Sequence, residues 1–124
     1  MKVLQINSDV TESGDAANGR FVKLSDGTMI CYHTLTATVD IIAAVGSWFR
    51  SSGGSIIWTY PEAFVETPVV HVGLLKGSSL DIVPGPHSTA TDQSSASVIL
   101  LASQSLTGAT VTLQLVAIGK WRSE

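Results

Sequence analysis

Ala109-Thr110-Val111-Thr112-Leu113-Gln114-Leu115-Val116-Ala117-Ile118-Gly119 decides the fold class. Successive side chains of an extended strand point to opposite faces. Val111, Leu113, Leu115 and Ala117 therefore share one face, and Thr110, Thr112, Gln114 and Val116 share the other. Upstream lies a second β-branched run, Ser95-Ala96-Ser97-Val98-Ile99-Leu100-Leu101-Ala102-Ser103, with Leu106-Thr107-Gly108 between the two. From Gln93 to Gly119 there is no charged residue. Strands that face water normally carry charge, Lys above all, to discourage edge pairing. Here Ser, Thr and Gln stand in its place, which fits either a plain polar surface or a face buried against copies of the same chain.

Working outward, Ile56-Ile57-Trp58-Thr59 reads as a strand ended by Pro61, and Pro68-Val69-Val70-His71-Val72-Gly73-Leu74-Leu75 as another. Residues 20–36 read as a β-hairpin, with Asp26-Gly27 suited to a type I′ turn between Phe21-Val22-Lys23-Leu24 and Met29 to Thr36. Residues 37–45 suit a strand or a short helix, and their β-branched content favours the strand. Gly46 to Ser55 and Lys76 to Pro86 read as loops. Residues 7–19 are small, polar and acidic, as in a linker, and Lys2 to Ile6 reads as a short strand or the tail of an upstream segment. The expected organisation is a linker or the end of an upstream shaft over 1–17, then one folded body over 18–124. Short strands, frequent turns and no amphipathic helix predict an all-β antiparallel sandwich of about six strands.

Composition narrows the function. The chain has 124 residues, 44% of them apolar and 14% charged, with a net charge of -3. Seven spread basic residues argue against a grip on nucleic acid. The apolar run Ile41 to Val45 is far short of the roughly 20 residues of a membrane span, so no membrane insertion is expected. A single cysteine excludes an intrachain disulfide and a cysteine zinc site. No apolar leader follows Met1-Lys2, so no signal peptide is expected.

Three segments resemble a known family. Asn18-Gly19-Arg20-Phe21-Val22-Lys23-Leu24-Ser25-Asp26-Gly27-Thr28-Met29-Ile30-Cys31-Tyr32 is similar to the opening of the C-terminal domain of phage and prophage tail fibre proteins. Trp58-Thr59-Tyr60-Pro61-Glu62-Ala63-Phe64, followed by Thr67-Pro68-Val69-Val70, resembles a second family segment. The ending Val116-Ala117-Ile118-Gly119-Lys120-Trp121 resembles the family's terminus. The likeness covers residues 18–122. It implies a fold similar to H-type lectins, assembly as a homotrimer, and binding of a host bacterial surface glycan at the tip of a virion tail fibre made in the bacterial cytoplasm. A chain of this length has no shaft, which departs from the family pattern and fits either a piece of a longer fibre or a stand-alone decoration protein.

No catalytic pair is legible: Glu62 and Glu66 share a turn, whereas glycoside hydrolysis needs carboxylates across a cleft. The chain reads as a binding protein, not an enzyme, with no cofactor and no metal. His33, His71 and His87 are far apart in sequence. His33 and His71 read as strand residues, His87 as an exposed loop residue, and Cys31 as a small buried apolar group. Saccharide sites stack a sugar face on an aromatic ring and fix hydroxyls with Asp, Asn, Arg or His. Trp48 with Arg50 forms one such group, and Asp81, His87 and Asp92 on later loops form another. Trp58, Phe64 and Trp121 match the family segments and are expected to pack in the core or against a neighbouring chain. Trp48 equally suits a core plug at a strand end. The alternatives to a receptor-binding tip are a structural or assembly cap with no receptor site, and a stand-alone H-type lectin.

Overall fold

The computed structural model describes residues 9–52, 56–87 and 91–123. These hold nine strands and no helix: β1 Val10–Ala16, β2 Gly19–Leu24, β3 Thr28–Val45, β4 Trp48–Ser51, β5 Ile57–Thr59, β6 Val69–Gly77, β7 Val83–Pro86, β8 Ser95–Ala102 and β9 Leu106–Lys120. Every pairing among them is antiparallel. The expected Gly53-Gly54 turn and the strand over Lys2 to Ile6 lie outside the described residues.

One layer runs β1-β2-β3-β9-β6. Strand β3 is 18 residues long, and its last residues turn through Gly46-Ser47 into β4. Strand β4 pairs with β8, which also carries β5 and, on its other edge, β7. The sheet thus curls over into a second layer, and the two inner faces make the core. Val111, Leu113, Leu115 and Ala117 of β9 and Ala96, Val98, Leu100 and Ala102 of β8 are all fully buried. Strand β3 contributes Met29, Cys31 and Ile41 at the period of two that residues 37–45 leave open in the sequence.

Three strands exceed the predicted six. Strand β1 lies where composition suggests a linker. Its side chains are mostly exposed, so it has no apolar alternation to read, and its order comes from pairing with β2. Strand β4 is four residues long and sits inside the predicted loop. Strand β7 carries Pro84 and Pro86, which an edge strand paired on one side tolerates.

The Asp26-Gly27 turn also differs. A type I′ turn needs positive φ at both residues, but no residue other than glycine has positive φ among those described. Instead Gly27 N–H donates to the Leu24 carbonyl at 3.1 Å, Gly27 takes φ 97°, and Asp26 Oδ1 accepts from Thr28 N–H at 2.9 Å. This is a three-residue loop with a glycine in the bulge position.

The family-like segments hold the ends of the sandwich together. Trp58, 1% exposed, donates from Nε1 to the Asn18 carbonyl at 2.7 Å, and Asn18 Nδ2 donates to the Thr59 carbonyl at 2.7 Å. Trp58, Tyr60 and Phe64 follow edge-to-face at 5.1 Å spacings, and His33 stacks on Trp58 at 6.4 Å. Lys23 Nζ lies 3.1 Å from Glu12 and 3.0 Å from Glu62, above the rings of Phe21 and Trp121. Trp121 Nε1 donates to the Leu24 carbonyl at 2.7 Å, and Arg122 stacks on the Trp121 ring while donating to the Ser25 carbonyl.

Candidate saccharide-binding face

Strand β4 presents the first candidate pair. Phe49 and Ser51 turn inward, and Ser51 Oγ accepts from Leu100 N–H at 3.0 Å. Alternation then directs Trp48 and Arg50 outward on one face, and Trp48 keeps 43% of its surface exposed. The Arg50 side chain donates from one guanidinium nitrogen to the Ser51 carbonyl at 3.2 Å. Trp48 is therefore a surface residue on a paired strand, not a core plug.

The register shows what surrounds this pair. Arg50 pairs with Leu101, and Leu101 pairs with Val83 on the far side of β8. These three form one row across β4, β8 and β7. Asp81 lies two residues before Val83, and Gln104 two residues after Ala102, the partner of Phe49. Gln104 Nε2 donates to Asp81 Oδ2 at 2.8 Å. The end of β8 thus gathers an aromatic plate, a guanidinium, a carboxylate held by an amide, and two aliphatic side chains between them.

The other predicted residues go elsewhere. His87 lies beside the start of β8, its N–H donating to the Ser97 carbonyl at 2.7 Å and its carbonyl accepting from Thr91 Oγ1 at 3.0 Å. It is half-buried, not exposed as expected. Asp92 is spent on its own turn: Oδ1 accepts from Ser94 N–H, Ser95 N–H and Ser94 Oγ at 2.9, 3.0 and 3.1 Å. Those hydrogen bonds hold its carboxyl below the usual carboxylate range. The two predicted groups are therefore regrouped: Trp48, Arg50 and Asp81 meet at one end of β8, and His87 and Asp92 sit at the other. Gln104, Leu101 and Val83 join the face with no local signal in the sequence, because only the β4-β8-β7 pairing brings them there.

A second surface is the outer face of the five-stranded layer. Val22, Ile30, Ile118 and Val69 lie side by side across β2, β3, β9 and β6, with Val69 62% and Ile118 41% exposed. Next along come Tyr32, Val116 and the exposed His71. A polar ladder follows between β3 and β9: Thr34 to Gln114 at 2.9 Å, Thr36 to Thr112 at 3.1 Å and Thr38 to Thr110 at 2.9 Å. Among the described residues no group of three His, Cys, Asp or Glu is placed to hold a metal ion.

No protein-family model matches this chain, and no curated protein is similar to it in sequence. A solved structure is similar to it in fold. The P. aeruginosa R1 pyocin fibre, in a fragment comprising C-terminal residues 323–701, superposes with a TM-score of 0.54 at 13% identity. The fold is similar to that of part of this pyocin fibre. The match takes in 89% of this chain and 28% of the pyocin fragment, so this chain spans well under half of the length of that structure. The pyocin likeness and the curled antiparallel sheet agree with the sandwich expected from the alternation in β9.

Proposed function

We propose that this chain is the tip domain of a phage- or prophage-type tail fibre, a homotrimer that adsorbs to a bacterial surface saccharide through the Trp48 face and performs no catalysis. The pyocin-fibre fold supports the fibre assignment. The observation that carries the binding assignment is the exposure of Trp48 on a paired strand, with Arg50 beside it and the Asp81–Gln104 pair across β8. An aromatic plate flanked by hydrogen-bonding groups suits a pyranose ring. The layout of the chain agrees with this use. Asp9 accepts from Ser25 N–H and Trp121 N–H donates to the Gly27 carbonyl, so both ends of the described chain lie beside the β2–β3 turn. The β3–β4 turn, which Trp48 directly follows, is at the opposite end of β3.

Assembly is assigned to the outer face of the five-stranded layer. A carboxylate or ammonium face repels its own copy, but threonine hydroxyls both donate and accept and so complement themselves. Three copies of a shallow site gain avidity once the first has bound, so each needs only weak affinity. Light scattering and a glycan array test the proposal together. The expected result is a mass of three times 13.0 kDa and saccharide binding that Trp48→Ala abolishes and His87→Ala leaves intact. A trimer that binds no saccharide returns the reading of a structural cap, and a monomer overturns the fibre-tip assembly.

A further inference from the structure

Resting on the saccharide reading of the Trp48 face, we infer that the ligand is an anionic saccharide, whose carboxylate or phosphate is received by Arg50. Arg50 is the sole cation between Lys23 and Lys76 in a chain of net charge -3. Arg20 and Lys23 are neutralised by Asp15, Glu12 and Glu62, whereas Arg50 has no carboxylate partner among the described residues. Lys76, Lys120 and Arg122 also lack one, but the first two are ammonium groups on flexible stems, and the Arg122 guanidinium is stacked on the Trp121 ring and held by the Ser25 carbonyl. Arg50 differs because it is exposed on the strand face beside Trp48, with a hydrogen bond to the Ser51 carbonyl tethering one nitrogen of its planar fork. Its remaining donors suit bidentate recognition of a carboxylate or phosphate.

Asp81 shares this face without cancelling the charge. It stands two strand spacings across and two residues along from Arg50, roughly 12 Å by strand geometry. No ion pair joins the two, and Asp81 is already engaged by Gln104. The face is consequently polarised, cationic along β4 and anionic beyond β8. Trp48 is two residues from Arg50 on the same side, about 7 Å away along the strand. A sugar ring on Trp48 therefore directs its acidic substituent towards Arg50 and its hydroxyls towards Asp81, because the reverse orientation sets two negative charges together.

Saturation-transfer NMR and titration on the intact chain test this with three probes: an oligogalacturonate, a neutral galacto-oligosaccharide of equal length, and a hexose 6-phosphate. The anionic class is expected to bind about tenfold more tightly than the neutral one, as a charge-assisted contact supplies. Its affinity should fall as salt rises. Arg50→Gln, checked for an unchanged melting temperature, should bring the anionic probes down to the neutral level and leave the neutral probe unmoved, with Arg50→Lys in between. Trp48→Ala should weaken every probe. Response to oligogalacturonate alone identifies the group as a carboxylate, and response to the hexose phosphate alone identifies a phosphate. Equal binding of neutral and anionic probes, insensitive to Arg50→Gln, overturns the inference and leaves the saccharide reading standing. No saturation transfer from any probe at millimolar concentration overturns both.

Discussion

Cys31 shows how burial of one side chain becomes a property of the whole protein. Its thiol is fully buried, and burial pushes its pKa up to about 11, with a backbone hydrogen bond at Glu62 acting weakly the other way. In the unfolded chain it ionises near 9.0. Its contribution to stability is whole below that pH and is lost as pH climbs towards 11, about 2–3 kcal/mol in all. Burial raises the Tyr60 phenol in the same sense. For Lys23, burial pulls the pKa down, but hydrogen bonds to Glu62 and Glu12 outweigh it and the net shift is upward. Its contribution too is present below 10.5 and lost above the raised folded value. All three act together, so urea unfolding should show stability level from pH 7 to 9 and falling steeply beyond. Cys31→Ala should flatten part of that fall, and a profile identical to the parent's would refute the assignment. Gly19 makes a steric prediction. With φ at 128°, a Cβ there would sit 2.6 Å from the Tyr32 carbonyl oxygen. Gly19→Ala should therefore lower stability by about 1–3 kcal/mol, read by the same unfolding curves.

At the scale of elements, what was legible in the sequence was burial and what was not was pairing. Strand β9 announces itself because its alternate residues are fully buried between two layers, and Leu113→Ala there should cost about 2–5 kcal/mol by calorimetry. Strand β1 is silent because neither of its faces is buried, and its stability comes from ladder hydrogen bonds and the Lys23–Glu12 contact. Its amides should exchange with deuterium well before those of β9, and equal protection would contradict this. Strand β4 was hidden by brevity and β7 by its prolines. The site followed the same rule. Trp48 and Arg50 were readable as a pair because they are two apart in one short segment. Asp81 joined them only through β7 and β8, a relation across more than 30 residues that no local pattern encodes. Its grouping with His87 and Asp92 rested on nearness in sequence, whereas β8 holds the two ends of that stretch apart.

The molecule as a whole has two unlike surfaces. The outer face of the five-stranded layer carries an apolar row and a threonine ladder, with the Arg20–Asp15 ion pair at its β1–β2 edge, and assembly is proposed there. Ile118→Lys should leave the secondary structure of the subunit unchanged by circular dichroism, since Ile118 points away from the core, yet yield monomers by light scattering. The same test applies to Thr112→Lys and Gln114→Lys, and trimers persisting in all three would remove this face from the interface. The placement of the described chain ends has a mechanical meaning as well. If a bound cell drags on the Trp48 turn while the domain is held at Asp9, tension runs parallel to the strands. The bonds joining β1 to β2 are then strained in shear, all at once, instead of being peeled singly from one end. Lys23, gripping Glu12 from below, adds a charged catch to that seam. A domain loaded in this direction yields at far higher force than one pulled across its strands.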